Sequence, residues 1–231
     1  HEHSFGEWTV TTEPTCTEKG VETRTCECGE SETREIPALG HDYVNGECSR
    51  CDDVKEAHFV DVPVGEFYFD PVEWAVENDI TTGMTETTFG PTLDCNRAQA
   101  VTFLWRAAGS PEPTSTDNPF VDVTQEAFFY NAVLWAAENG ITTGIDDTHF
   151  DPYGDCNRAQ VVTFLWRAAD EPTSEVEVSF TDVVEGAFYY DAMLWAVENG
   201  ITTGTSETTF APLEICNRAQ VVTFLYRIHA E

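Results

Sequence analysis

The arginines of residues 56–231 are the side chains best placed by type and spacing to bind a ligand. They are Arg97, Arg158 and Arg218 at one repeated position and Arg106, Arg167 and Arg227 at another, and this part of the chain has no lysine. The first three directly follow an asparagine that is predicted to begin a helix. Free backbone N–H groups and the helix dipole favour an anion there, and a guanidinium adds a planar pair of donors suited to a carboxylate. The pattern therefore predicts an anion-binding site that occurs three times.

Other residues of the same segments are predicted to complete this site. Asparagine at the N-cap and glutamine at N3 form a capping box, the glycines let the backbone approach a sugar ring, and the tryptophans offer an apolar face. These residues are Asn96, Asn157, Asn217, Gln99, Gln160, Gln220, Gly83, Gly144, Gly204, Trp74, Trp135 and Trp195. Structural alternatives stay open. In one alternative the arginines at the helix starts pair with neighbouring Asp or Glu side chains. For the second set of arginines, salt bridging or packing of the stem is the favoured interpretation, and for the tryptophans it is a place in the core.

The first 55 residues contain a separate group of metal-type side chains. They are Cys26, Cys28, His41, Cys48 and Cys51, with His3 and Cys16 upstream. Their spacing is similar to that of zinc-ribbon knuckles, which makes a structural zinc ion the metal hypothesis. Disulfides are the alternative for so small a domain, although five cysteines cannot all pair internally. Alternation at Val21, Thr23 and Thr25 predicts a β-hairpin.

Three further cysteines recur once per repeat, directly before the predicted N-cap. They are Cys95, Cys156 and Cys216. We expect each to act as a small buried hydrophobe that packs on the fourth helical residue. A metal shared by the three is the competing interpretation, and no accompanying ligand motif supports it.

These side chains are positioned by one sequence written three times, at residues 81–109, 142–170 and 202–230. Each copy predicts two helices. The first is expected to start at Asp70, Asn131 or Asp191 and to end at Asp79, Gly140 or Gly200, and the second starts at Asn96, Asn157 or Asn217. A two-helix unit buries too little surface alone, so the three copies should pack together, in a closed pseudo-threefold arrangement or an open stack.

Composition limits the classes of partner. The net charge is −31 while hydrophobic residues make up 41%, so the chain is acidic but globular. Such a field repels nucleic acid and anionic membranes, and no stretch approaches the roughly 20 apolar residues of a membrane span. The chain begins at His1 without a visible signal peptide, as expected of a mature fragment. No nucleophile–base pair or phosphate loop is present, so we expect a non-enzymatic protein; glycoside hydrolysis by paired carboxylates is the enzyme hypothesis.

The repeat resembles the S-layer homology domain over residues 56–231. The motifs that carry the resemblance are F-x-D-V, W-A, G-I-T-T-G, F-x-P and N-R-A-Q, the last in place of the family's T-R-A-E. The family implies a mainly α fold, a three-pronged spindle in which helices of three repeats meet in a central bundle. It also implies non-covalent anchoring of Gram-positive surface proteins to secondary cell-wall polysaccharide, commonly one with ketal-linked pyruvate. The N-terminal segment is similar to Cys-rich repeats in surface proteins of gut clostridia.

We therefore predict a small Cys-rich β module at residues 1–55 and helical repeats at 56–110, 111–172 and 173–231. The predicted function is extracellular anchoring to an anionic wall polysaccharide through the arginines at the helix N-termini, without a functional cofactor. Replacement of the family's glutamate by glutamine removes a negative charge beside each arginine, so the ligand is expected to differ in detail. The alternative is an adhesin or host-recognition module that uses the repeat surface for a protein partner.

Overall fold

The computed structural model describes residues 3–229 and divides the chain into two compact units, His1–Ala57 and His58–Glu231. We call them the N-terminal module and the repeat domain. The strands are β1 Thr9–Thr12, β2 Gly20–Thr25, β3 Ser31–Ile36, β4 Tyr43–Val44 and β5 Glu47–Cys48. The helices are α1 Phe69–Glu77, α2 Arg97–Ala107, α3 Tyr130–Glu138, α4 Arg158–Ala168, α5 Tyr190–Glu198 and α6 Arg218–His229. Among the described residues, no helix has the length and apolarity to cross a membrane.

The N-terminal module is built from two small antiparallel sheets. The predicted hairpin is confirmed as β2 and β3, and β1 adds to the other edge of β2. Strands β4 and β5 form a second hairpin around Asn45 and Gly46, which both have positive φ, of 51° and 81°. An Asn-Gly pair in this conformation is favoured because its twist matches that of the strands it joins.

The first helix of each repeat begins earlier than the sequence predicted. Asp70, Asn131 and Asp191 lie at the second helical position and are not N-caps. The N-cap residues are aromatic and make no side-chain capping bond. A preceding backbone turn replaces the cap, since the N–H of Phe69 already donates to the carbonyl of Glu66 at 2.9 Å. The predicted C-terminal stop is confirmed, because Gly140 has a φ of 69° just past its helix.

The second helix of each repeat begins at the predicted residue. In α2 the Asn96 side chain accepts a bond from the N–H of Gln99 at 2.8 Å, and the Gln99 side chain accepts one from the N–H of Asn96 at 3.2 Å. Asn157 with Gln160, and Asn217 with Gln220, make the same reciprocal pair. The predicted capping boxes are confirmed, and each places its arginine at the first helical position.

The three repeats are linked by a closed cycle of backbone hydrogen bonds. Cys95 donates to the carbonyl of Cys216 at 2.9 Å, Cys156 to Cys95 at 2.9 Å, and Cys216 to Cys156 at 3.0 Å. All three cysteine side chains are fully buried, as expected of small hydrophobes. Around this ring the first helix of each repeat packs against the second helix of the repeat before it, in the pairs α1–α6, α3–α2 and α5–α4.

Candidate functional site

The arginine that opens each second helix reaches into the next repeat. Its Nε donates to the carbonyl of the phenylalanine in that repeat's F-x-P turn, over 2.8 to 2.9 Å. The pairs are Arg97 with Phe150, Arg158 with Phe210 and Arg218 with Phe89. Each guanidinium also lies over two phenylalanine rings, for example 4.8 Å from the Phe150 centroid and 5.5 Å from that of Phe164. The neighbouring repeat, and not the arginine's own, therefore positions the charge.

These arginines are buried without a carboxylate partner. Arg97, Arg158 and Arg218 are each 3% exposed, and none forms an ion pair with any residue in the described range 3–229. Burial lowers the pKa of all three guanidinium groups from its usual value. An arginine nevertheless stays charged in proteins, because its ordinary pKa lies far above neutral pH. The alternative that they pair with acids is therefore wrong, and three unneutralised charges are held inside the fold.

The aspartate of each F-x-D-V segment holds the turn that the arginine contacts. The carboxylate of Asp61 accepts bonds from the N–H groups of Phe89 and Gly90, both at 2.8 Å. Asp122 and Asp182 repeat this arrangement in the other two copies. The sequence showed the motif but not its role, since the carboxylate and the turn are 28 residues apart. Each aspartate therefore orients a carbonyl towards an arginine of the preceding repeat.

Two equivalent cavities open beside the buried arginines. Cavity 1, of about 370 Å³, is lined by residues that include Thr82, Gly83, Gln99, Arg106, Phe128 and Arg218. Cavity 2, of about 410 Å³, is lined by residues that include Thr143, Gly144, Gln160, Arg167, Phe188 and Arg97. Each combines a loop and second helix of one repeat, an arginine of the repeat before it and an exposed phenylalanine of the repeat after it. A single repeat therefore cannot form the site.

Both cavities are positively charged within a strongly acidic protein. Each is lined by two arginines, and no Asp or Glu is among the described residues that line either of them. The protein as a whole has a net charge of −31. Because a partly enclosed site focuses the field of the charges that line it, these cavities can attract an anion that the rest of the surface repels.

One donor in cavity 2 has no partner. Nη2 of Arg97 is buried and makes no hydrogen bond, the one such side-chain nitrogen or oxygen among the described residues. At the equivalent position between the second and third repeats, Nη2 of Arg158 donates to the hydroxyl of Thr202 at 2.8 Å. A buried unpaired N–H of a charged group costs free energy, so this donor is an unsatisfied group at the wall of the cavity.

Two of the second set of arginines, Arg106 and Arg167, also line the cavities. Nη1 of Arg106, Arg167 and Arg227 donates to the carbonyl of Ile80, Ile141 and Ile201 respectively, at 2.8 to 3.2 Å. Sequence reasoning assigned them to packing and salt bridges, and Arg167 does lie 4.0 Å from Glu171. It did not place Arg106 and Arg167 in the cavities. Their recurrence in a chain segment with so few basic residues was the available signal.

The structure brings together some of the other predicted ligand residues and separates others. Gln99 and Gln160 line the cavities, and their capping bonds use the amide oxygen. The NH₂ group of Gln99 also donates to the sulfur of Met84, another residue of cavity 1, at 3.8 Å. Gly83 and Gly144 also line the cavities. Each shares its cavity with an arginine from the preceding repeat, and not with the one that opens the second helix of its own repeat. The loop itself requires a glycine at position 83. Its φ is positive, 80°, and a β-carbon added there would lie only 2.5 Å from the carbonyl oxygen of Thr85.

The remaining predicted ligand residues lie away from both cavities. Asn96, Asn157 and Asn217 use their side chains as helix caps. Trp74 packs against Tyr226 and His229, with ring centroids 5.7 and 6.0 Å apart. Trp135 lines a separate apolar cavity, and Trp195 is buried. Gly204 belongs to the third copy, where it accompanies Thr202.

The metal-type residues of the N-terminal module fall into two groups, whereas the sequence suggested one. Cys26 and Cys28 lie with His3, and the Nδ1 of His3 is 3.2 Å from the sulfur of Cys28. His41, Cys48 and Cys51 lie with Cys16. The long β2–β3 hairpin explains the division, because Cys26 follows β2 at the end of the sheet remote from the Cys16 loop. Within each group all ligand atoms are within 4.8 Å of one another.

Comparison with known proteins identifies the same three segments. A model of the S-layer homology domain matches residues 59–101, 119–162 and 179–222. The Surface-layer 125 kDa protein of Lysinibacillus sphaericus is 36% identical over 94 residues, which cover 41% of this chain and 8% of that protein. An Endoglucanase of Bacillus sp. (strain KSM-635) is 28% identical over 180 residues, 74% of this chain and 19% of that protein. The S-layer protein EA1 of Bacillus anthracis is 24% identical over 171 residues, which cover 72% of this chain and 19% of that protein. The chain thus spans less than a fifth of the length of these relatives.

Proposed function

The chain belongs to the S-layer homology domain family, and from this premise we propose that its repeat domain binds an anionic secondary cell-wall polysaccharide through cavities 1 and 2. Family membership and the S-layer relatives place the chain at the cell surface, associated with the cell wall or S-layer, as the anchor of a surface protein. In this proposal the anchor acts by binding and not by catalysis.

The observation that carries the proposal is the pairing of two arginines without a lining acid in each cavity. A carboxylate such as that of a ketal-linked pyruvate matches this charge and the planar donors of a guanidinium. In cavity 2 the unpaired Nη2 of Arg97 supplies a donor that the fold does not use. The cavity size, about 370 to 410 Å³, is that of a small-molecule site and accommodates a sugar residue.

The rest of each cavity suits a sugar ring. Phe128 and Phe188 are 65% and 61% exposed and present apolar surface to sugar C–H groups. The Gln99 and Gln160 amides, with the threonine hydroxyls of the lining, provide neutral hydrogen-bonding groups for sugar hydroxyls. A ligand held by two arginines and an aromatic ring would be both anionic and carbohydrate, which favours wall polysaccharide over a simple anion.

We propose that the third repeat contributes less to binding than the other two. The Nη2 of Arg158, the counterpart of the unpaired donor in cavity 2, is already bonded to Thr202. The closed cycle of contacts supports the three-pronged spindle as the overall arrangement, with repeats at 56–110, 111–172 and 173–231 and a separate module at 1–55. On this view the third repeat serves chiefly to deliver Arg218 to cavity 1 and Phe188 to cavity 2.

The test is binding of the full chain to purified wall polysaccharide, before and after chemical removal of pyruvate. Arg106→Ala and Arg167→Ala are expected to weaken binding roughly 10- to 100-fold each at their own cavity, the loss of a charge-assisted hydrogen bond. Arg227→Ala is the matched control, since it removes the same bond to an isoleucine carbonyl from the third repeat. Equal effects of all three variants, or no effect, would overturn the proposal. If a variant with both Arg106→Ala and Arg167→Ala still bound a host protein, the adhesin alternative would be favoured.

A further inference from the structure

We propose that the N-terminal module binds one structural zinc ion through Cys16, His41, Cys48 and Cys51. This inference concerns a different unit of the chain and does not depend on the anchoring proposal. Three thiolates and one imidazole are a ligand set typical of closed, four-coordinate structural zinc sites. Cys16, which lies outside the Cys-x₂-Cys motif, becomes the fourth ligand, and Cys26 and Cys28 are not part of this set.

The distances within the group match those around a tetrahedral zinc ion. With Zn–S bonds of about 2.3 Å and a Zn–N bond of about 2.05 Å, two sulfurs lie about 3.8 Å apart, and a sulfur and a nitrogen about 3.6 Å apart. The sulfurs of Cys16 and Cys48 are 3.8 Å apart, and the sulfur of Cys51 is 3.4 Å from Nδ1 of His41. All four ligand atoms lie within 4.8 Å of one another, so they can surround one ion.

Backbone hydrogen bonds, and not the cysteines themselves, bring these residues together. Leu39 and Gly40 donate to the carbonyls of Thr15 and Cys16 at 2.9 and 3.0 Å, which places Cys16 beside the segment that leads into His41. On the other side, the tight β4–β5 turn and the bond from the Cys48 N–H to the carbonyl of Asp53, 2.9 Å, shape the knuckle that contains both remaining cysteines. The ligands are therefore pre-positioned by the fold.

The orientation of the imidazole is supported as well. The His41 ring stacks on Tyr43, with centroids 5.3 Å apart and an interplanar angle of 20°. The equivalent pair His3 and Phe5 stacks at 5.7 Å in the other group. A histidine whose ring plane is held by a neighbour loses less conformational freedom on binding a metal.

The burial pattern of the module indicates that a metal replaces a hydrophobic core. In residues 3–57 the buried hydrophobic side chains are Cys16, Cys26 and Cys48, which are 8%, 6% and 8% exposed. No aliphatic or aromatic side chain of this described segment is buried with them. A domain of this size cannot offset its conformational entropy without a core, so it needs a metal or a cross-link.

A disulfide explains the group less well than a metal. A bond between Cys16 and Cys48 would require their sulfurs to approach to about 2.05 Å and would leave Cys51 and His41 without a role. The cluster instead places a histidine nitrogen and three sulfurs around one centre. The second group, His3 with Cys26 and Cys28, offers three ligands among the described residues, which makes it a matched control for the four-ligand site.

The experiment measures zinc bound to the full chain after exchange into metal-free buffer, by elemental analysis of intact protein. The wild type is expected to retain one equivalent that Cys16→Ser and Cys48→Ser lose, while Cys28→Ser keeps it. His41→Cys should also retain this equivalent, because it leaves a four-thiolate site. Loss of the same equivalent in Cys28→Ser, or its retention in Cys48→Ser, would overturn the assignment.

Cobalt(II) loading of the wild type gives a readout that does not depend on how the variants fold. The expected spectrum combines the intense visible bands of tetrahedral cobalt with a thiolate charge-transfer band, as for three sulfur ligands and one nitrogen. Zinc is expected to displace cobalt and abolish both features. An octahedral cobalt spectrum, the absence of retained zinc, or an intact mass two hydrogens lower from a Cys16–Cys48 disulfide would each refute the proposal.

Discussion

Arg218 donates a hydrogen bond from Nε to the carbonyl oxygen of Phe89, over 2.9 Å and across 129 residues of sequence. This one contact joins the last repeat to the first and delivers a charged group to cavity 1. The same relationship links the first repeat to the second and the second to the third. The proposed ligand site therefore lies at the interfaces between repeats, where the same arginine packs on the neighbouring repeat and lines a cavity.

Asp122→Asn should destabilise the repeat domain by about 1–3 kcal/mol, because an amide NH₂ would face one of the two backbone N–H groups that the carboxylate now satisfies. Chemical unfolding of the full chain measures the change. Glu86→Gln, at an exposed position of the first repeat, is the control and should change stability by less than about 0.5 kcal/mol. Equal stabilities of the two variants would mean that the aspartate does not hold the turn.

Thr202→Val should lower the free energy of unfolding by about 1.5–3 kcal/mol more than Thr142→Val does. Both hydroxyls accept a bond from a glycine N–H at 3.2 Å, but only Thr202 also accepts one from a buried guanidinium. The difference between the two free energies of unfolding isolates that charge-assisted bond, since the remaining losses are matched. A difference near zero would remove the basis for treating the third repeat as distinct.

Ala211→Gly should stabilise the repeat domain by about 0.5–1 kcal/mol, and Gly90→Ala should destabilise it. The two residues are equivalent in the repeat and have positive φ, 57° for Ala211 and 73° for Gly90. A side chain in this left-handed region costs roughly 1–2 kcal/mol, partly offset by the greater freedom of glycine in the unfolded chain. A β-carbon at position 90 would also lie 2.8 Å from Leu93. Urea unfolding of both variants measures the opposite signs.

Cys95, Cys156 and Cys216 should resist alkylation in the native protein at pH 8. Burial raises the pKa of the Cys95 and Cys216 thiols to about 12 and raises that of Cys156 as well, so the reactive thiolate is scarce. Peptide mapping after iodoacetamide treatment checks this, with urea-unfolded protein as the control in which all three react. Fast native labelling would show that the ring of cysteines opens.

The same thiols should make the repeat domain sensitive to alkaline pH. A pKa raised in the folded state means that the folded chain holds these protons more tightly than the unfolded chain. Their contribution to stability is fully present below the unfolded pKa of about 8.5 and is lost as the pH rises from there towards 12. Unfolding curves between pH 7 and 10 measure this loss, and replacing Cys95 and Cys216 by alanine should reduce it. A pH-independent stability in that range would contradict the prediction.

Local sequence was sufficient to predict where the second helices begin and how they are capped, but it did not predict the first residue of the first helices. Asn96 and Gln99 satisfy each other's backbone groups within one turn, so nothing distant is needed to set that boundary. The start of α1 depends instead on a backbone turn at Glu66 and on the burial of Phe69, which side-chain preferences at Asp70 did not reveal. Two residues of error in each first helix followed from this.

The sequence by itself determined the repeat, the existence of its helices, the family and the arginines that are candidates for binding. A repeat can be recognised by comparing the sequence with itself, and a capping box involves residues only three positions apart. Only the tertiary structure decided that Arg97 faces Gly144 and not Gly83, that Arg106 and Arg167 line the cavities, and that Cys16 joins His41. Those pairings depend on how repeats and loops pack, because contacts between segments far apart in the chain are set by shape, burial and backbone hydrogen bonding together.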